Sequence, residues 1–141
     1  MNILKGYKRV SFDTNIFVYF FEGNLTYAKS LKTLFEKLSK GYITGITSLI
    51  TLIELLSYRD LNEEGVKETK DRFLSIQNLT LSELSQSVCE EAARIRRKYS
   101  FKTPDAIQLA TALQTKAKVF ITNDEELKTF KEIKVVTLKE V

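Results

Sequence analysis

Residues 103–124 read TPDAIQLATALQTKAKVFITND, and the fold turns on the change of period inside them. Thr103 fits an N-cap, and Pro104 the first helical position, where a missing N–H costs nothing. Asp105 then falls in the first helical turn, where the helix dipole favours negative charge. Ile107, Ala110, Leu113 and Ala117 recur at helical spacing and predict a narrow, small-residue face that packs closely. Past the basic turn at 116–118 the period changes. Val119, Phe120 and Ile121 form a β-rich run without alternation, as in a parallel strand covered on both faces. Asp124 follows at the carboxyl end of that strand, where open α/β sheets place their ligands. Each acid also has a plain structural reading, Asp105 as a dipole partner and Asp124 as an N-cap. Repetition elsewhere in the chain is what favours a site.

The 141 residues predict one domain, 1–141, large enough for a core without disulfides. Hydrophobic residues make up 43% and charged residues 28%, ordinary for a globular protein. A single cysteine, Cys89, excludes an intrachain disulfide or a cysteine-cluster zinc site. The stretch MNILKGYKR lacks the apolar segment of a signal peptide, and the run at 16–21 is too short to cross a bilayer. A cytoplasmic protein without membrane contact is the expectation. There is no histidine, which removes Ser-His-Asp and Cys-His nucleophile systems, histidine bases and histidine-ligated metals. Hydrolytic chemistry must then rest on carboxylates, lysine, or a hard metal held by oxygen. Net charge is +4, and setting four acids together on a metal leaves the remaining surface more basic still. Such a surface around an acidic hole suits a polyanionic substrate.

Residues 10–13, VSFD, predict a first strand ending in an acid, with Thr14 or Asn15 capping an apolar helix that Gly23-Asn24 terminates. Residues 26–39 predict an amphipathic helix with Ala28, Leu31, Leu34, Phe35 and Leu38 inward, stopped by Gly41. Residues 42–47, YITGIT, predict a second strand, and Ser48 a cap for a helix in which Leu49, Leu52, Ile53, Leu55 and Leu56 make a broad apolar surface. Glu54 interrupts that surface. An unpaired charge is costly to bury, so Glu54 must reach water or a cation. A more polar helix over 60–77 places Val66, Phe73, Leu74 and Ile76 against the core, weakened locally by Gly65. Then come a short strand at 79–81 and a helix from Ser85 or Ser87 carrying Val88, Ala92, Ile95 and Tyr99 on one face. After the opening stretch, a short helix at 125–130 and a strand at 134–138 close the chain. Strands alternate with helices throughout, which predicts an α/β fold with a mainly parallel sheet of about five strands.

Asp13 and Asp124 thus end predicted strands, Asp105 opens the helix leading to the second of these, and Glu54 lies on the helix after strand two. In a right-handed parallel sheet these elements converge at one carboxyl edge. Four carboxylates there would repel one another unless a divalent cation neutralised them, and oxygen-only donors favour Mg²⁺ or Mn²⁺. Such ions serve phosphodiester hydrolysis. Arg94, Arg96, Arg97, Lys98 and Lys102 precede Asp105 and could hold phosphates, or form a solvated face; Arg96, Arg97 and Lys102 are the candidates for phosphate contact. Tyr7, Tyr19, Tyr58 and Tyr99 could stack on bases, or lie in the core. Asp60, Glu63, Glu64, Asp71, Glu90, Glu91, Glu125 and Glu126 read as solvated helix faces.

SFDTNIFVYFFEG, TSLITLIELL, TPDAIQLATAL and VFITND, in this order, resemble the motifs of the PIN-domain ribonucleases. The likeness is strongest to the small toxins of VapBC-type toxin–antitoxin pairs and covers essentially the whole chain. It implies a three-layer α/β/α fold with strand order 3-2-1-4-5 and an acidic metal site that cuts RNA. By position Asp13, Glu54, Asp105 and Asp124 resemble the family's four catalytic, metal-binding acids. Asn15 and Thr122 match accessory polar positions that hold the first acid and a water. The resemblance further implies an antitoxin partner and a homodimer. The expected function is a Mg²⁺- or Mn²⁺-dependent endoribonuclease, the toxin of a type II toxin–antitoxin system. The alternative is a non-catalytic PIN-like module binding RNA or a protein. A phospho-acceptor domain of the response-regulator type also places Asp at strand ends, but it needs a second adjacent acid where Ser11-Phe12 stand here.

Overall fold

In the computed structural model, which describes residues 3–141, five strands form one sheet. They are β1 (Arg9–Phe12), β2 (Thr44–Ser48), β3 (Leu79–Ser82), β4 (Val119–Thr122) and β5 (Lys134–Thr137). Met1 and Asn2, the start of the stretch read as lacking a signal peptide, lie outside the described residues. Every pairing is parallel and the order is β3-β2-β1-β4-β5, as expected. The connections run through α1 (Thr14–Glu22), α2 (Ala28–Ser39), α3 (Ile50–Leu56), α4 (Glu63–Leu74), α5 (Gln86–Tyr99) and α6 (Thr103–Gln114). Helices cover both sheet faces, completing the three-layer α/β/α arrangement. Val119 and Ile121 enter one core with Phe12, Phe17, Leu34 and Phe73, while Phe120 enters the other with Ile95, Leu109 and Phe130. A strand that feeds two cores has no polar side to show, hence the unbroken apolar run.

Several helix boundaries and faces differ from expectation, each for a local reason. Asp13 itself caps α1, its side chain accepting from Thr14 N–H, which leaves the Thr14 side chain available for other contacts. α6 starts at Thr103, with Lys102 as an extended N-cap and Pro104 one position later than expected. It is also not one-faced: Ala106 to Ala112 are all buried, because α5, α3 and three strands surround it. β2 begins only at Thr44. Gly41, at a φ of 76°, closes α2 with Tyr42 N–H on Lys37 C=O, a Schellman turn that turns Tyr42 out to solvent. Ala28, Leu49 and Ile53 are exposed rather than inward, since α2 starts later than expected and α3 is only seven residues long; Leu74, the last residue of α4, is exposed at that helix's end. The closing helix is a 3₁₀ turn, Glu125–Thr129, and Leu138 opens another 3₁₀ turn rather than ending β5.

Gly45 shows how tightly β2 is held. A Cβ there would stand 2.5 Å from Phe12 Cε2, 3.0 Å from Leu79 Cδ1 and 3.1 Å from Leu38 Cδ1. The Phe12 ring, itself fully buried, must shift to admit it, so Gly45→Ala is expected to cost about 1–3 kcal/mol. Urea denaturation of the variant checks this, and an unchanged midpoint would mean that the strand relaxes freely.

Candidate active site at the carboxyl edge of the sheet

β1 and β4 lie side by side, and both end at the same edge. Asp13 follows β1 and is 6% exposed. Its backbone N–H donates to Ile121 C=O at 2.9 Å, which extends the ladder by one bond. Its Oδ1 accepts from Thr14 N–H at 2.8 Å; its Oδ2 accepts from the Thr122 hydroxyl at 2.7 Å and from Asn15 Nδ2 at 3.4 Å. Thr122 is the last residue of β4, and its oxygen also accepts from Asp124 N–H at 3.1 Å. One buried hydroxyl therefore links the first acid to the last. Asn15 completes the brace, its Oδ1 accepting from Asn123 N–H at 3.1 Å. Asp124 does serve as the cap of the following 3₁₀ turn, with Oδ1 on Glu126 N–H at 3.0 Å. That structural role and a place in the cavity coexist.

Glu54 lies one turn into α3, partly buried, with Oε1 accepting from the Thr14 hydroxyl at 2.7 Å. Asp105 projects from the first turn of α6. Asp13, Glu54, Asp105 and Asp124 all line one cavity of about 570 Å³, with Tyr19 and Tyr58 at its side. Burial is the chief cause that pushes the Asp13 carboxyl up to about 7, opposed by the Thr122 hydrogen bond and reinforced by the charge of Asp105. Asp105 is also raised, first by burial and then by Asp124 and Glu54, with Lys102 opposing. Among the described residues, the charged side chains that line the cavity are these four acids, all of one sign. Among the described residues no three acids stand at metal-coordinating spacing; the carboxylates share the cavity without closing on one point.

The basic cluster divides. Arg94 is taken up by Glu91 and Glu132, at 2.7 and 2.8 Å, and Lys98 lies 3.8 Å from Glu132. Glu91 is therefore an ion-pair partner, not merely a solvated charge; Glu125 likewise pairs with Lys139 at 2.6 Å. Arg96 donates from Nε to Phe101 C=O at 3.0 Å, while Arg97 and Lys102 are exposed. Of the tyrosines, Tyr99 packs on Phe101 and Phe130, and Lys134 sits over the Tyr7 ring. Tyr19 and Tyr58 alone of the four reach the cavity.

A buried polar layer beneath the acids is not among the features expected from the sequence. It joins Thr14, Thr47, Ser48 and Thr51 to Gln108, which is 1% exposed in the middle of α6. The available signal was a glutamine among alanine, isoleucine and leucine, three residues after Asp105, together with hydroxyls clustered at 47, 48 and 51.

The PIN domain family model matches residues 10–134, and the chain belongs to that family. Among solved structures it is similar to a toxin–antitoxin complex from Klebsiella pneumoniae, at 26% identity and a TM-score of 0.69, covering 94% of this chain and 99% of that one. VapBC2 from Rickettsia felis, bound to a promoter DNA fragment, shares the fold at 21% identity and a TM-score of 0.71, over 92% and 98% of the two chains. DNA-bound VapBC from Salmonella typhimurium does so at 15% identity and a TM-score of 0.72, over 93% and 98%. No curated protein sequence matches the chain.

Proposed function

We propose that this chain is a divalent-metal-dependent endoribonuclease and the toxin of a toxin–antitoxin pair, acting in the cytoplasm as a single PIN domain that dimerises. The observation that carries the reading is the sharing of one negative cavity by Asp13, Glu54, Asp105 and Asp124 at the carboxyl edge of the sheet. Family membership and the likeness to toxin–antitoxin complexes support it. The donor set is all carboxylate and hydroxyl, which fits Mg²⁺ or Mn²⁺ and disfavours softer metals. The Asp13 carboxyl, which burial pushes up to about 7, and that of Asp105, raised first by burial and then by neighbouring acids, fit the same ion. Asp13, Glu54, Asp105 and Asp124 would hold it. When bound, such an ion lowers the pKa of water and offsets the charge of a scissile phosphate. Around it, Thr122 and Asn15 keep the Asp13 carboxylate from turning, and Thr14 does the same for Glu54. Tyr19 and Tyr58 line the cavity and would stack on bases entering it.

Arg96, Arg97 and Lys102 would hold phosphates flanking the cut. Each lost contact should reduce the slope of log K against log salt by about 0.7 for single strands. The triple alanine variant is therefore expected to bind RNA with a slope shallower by about 2. An unchanged slope in filter binding would return the cluster to a solvated face.

Expression of the chain alone should arrest bacterial growth, and cleaved RNA should carry 5′-phosphate and 3′-hydroxyl ends. Co-expression with the product of an adjacent antitoxin gene should relieve the arrest and yield a copurifying complex. Growth without arrest, together with intact RNA, would remove the toxin assignment. The spacing of the acids leaves room for a second reading, a non-catalytic module binding RNA or a protein. Failure to bind any divalent ion would favour it.

A further inference from the structure

We propose that Gln108 is a positioning residue for Glu54, acting through the Thr14 hydroxyl. The assignment rests on the nuclease reading for what Glu54 does, though not for how Glu54 is held. Gln108 Oε1 accepts from Ser48 N–H at 3.2 Å. A backbone N–H can only donate, so the amide cannot flip and its Nε2 must face the other way. There it donates to Thr14 Oγ1 at 3.1 Å and to Thr51 Oγ1 at 2.8 Å. Thr47 gives its single proton to Phe12 C=O at 2.8 Å, so the 2.8 Å contact between Thr47 and Thr51 is made with the Thr51 proton. Both threonines that touch the amide are thereby satisfied as acceptors. Thr14 keeps its one proton, and Glu54 Oε1 lies 2.7 Å away to receive it.

All five residues of this layer are 7% exposed or less, so water does not offer substitutes for these bonds. Without the amide, Thr51 Oγ1 loses a donor and competes for the Thr14 proton across 3.0 Å. Glu54 would then lose its fixed partner and turn more freely at the cavity wall. Because Gln108 lies one turn below Asp105 on α6, the same amide couples the helix of one acid to the helices and strand ends around the others.

The test is a double-mutant cycle between Gln108→Met and Thr14→Val, both close in volume to the residues replaced. Mg²⁺ affinity is read by calorimetry, and the Glu54 Cδ chemical shift is read by NMR in metal-free protein. Each single variant is expected to weaken Mg²⁺ binding by about tenfold, as loss of a group that orients a ligand does. The double variant should be no weaker than Thr14→Val alone, and Thr14→Ser should bind like the parent. Both single variants should move the Glu54 Cδ resonance in the same direction. Additive losses, or a Glu54 resonance that ignores Gln108→Met, would overturn the assignment and leave Gln108 a packing residue. If the parent binds no divalent ion, the nuclease reading fails, and the metal-free Glu54 resonance still decides the positioning role. Should Gln108→Met not fold, an unmoved Glu54 resonance in folded Thr14→Val overturns the proposal, and a moved one that Thr14→Ser restores supports it.

Discussion

Asp13→Asn and Asp105→Asn are each expected to slow RNA cleavage by about a thousandfold or more, a loss on the order of 4 kcal/mol of transition-state stabilisation. The circular-dichroism spectrum should stay native. Asparagine keeps the size of the side chain and one acceptor oxygen, so at position 13 the N–H of Thr14 can still be satisfied. What goes is charge and a pair of equivalent oxygens, one facing Thr14 N–H and the other Thr122. A divalent ion needs that charge, whereas the fold of β1 into α1 does not. Single-turnover cleavage of a labelled RNA measures the loss. Retention of more than about a tenth of the parent rate by Asp13→Asn would show that the carboxylate is a cap and no more.

The second large effect is on stability, and its sign follows from burial. The Asp13 carboxyl is raised from 3.8 to about 7 in the folded protein, and Asp105 is raised as well. The native state then binds more protons than the unfolded chain between those values. Metal-free protein should therefore lose stability as pH climbs from about 4 to about 7, by about 1.4 kcal/mol per pH unit for each carboxyl that stays protonated only in the folded state. In EDTA at pH 8, Asp13→Asn should melt at or above the parent, because it removes one buried like charge. Mg²⁺ should reverse the order, since linkage stabilises only the chain that binds it, by about 2.7 kcal/mol at a hundredfold excess over the dissociation constant. Four melting curves, each protein with and without the ion, read both effects. An equal gain in the two proteins would show that Asp13 is not part of one metal site.

The alternation of strands and helices was legible because it depends on coarse signals, such as the unbroken apolar run at β4 and the helical spacing before it, whereas strand order and layering came from the family resemblance. The acids stood out for a related reason. Asp13 and Asp124 immediately follow or closely trail strand ends, and Asp105 opens a helix, so topology alone brings them to one edge. Helix faces were harder to read. α6 looked one-sided because alanine is ambiguous between a packed and a solvated position, whereas tertiary contacts bury nearly every residue along it. Ile53 and Leu49 looked inward on periodicity, but a helix of two turns has too little length to bury a broad apolar surface. Gln108 was missed because its partners come from β2, α1 and α3, and no local pattern reports a hydrogen bond across that much sequence. Pairing of Arg94 with Glu132 is hidden for the same reason.

Cleavage of a labelled single-stranded RNA by the purified chain, with Mg²⁺ and then with excess EDTA, puts the proposed metal site to its most direct trial. The four acids at the sheet edge predict fragments ending in 5′-phosphate with Mg²⁺, none in EDTA, and recovery on adding Mn²⁺. Undiminished cleavage in excess EDTA would contradict a metal site built from Asp13, Glu54, Asp105 and Asp124.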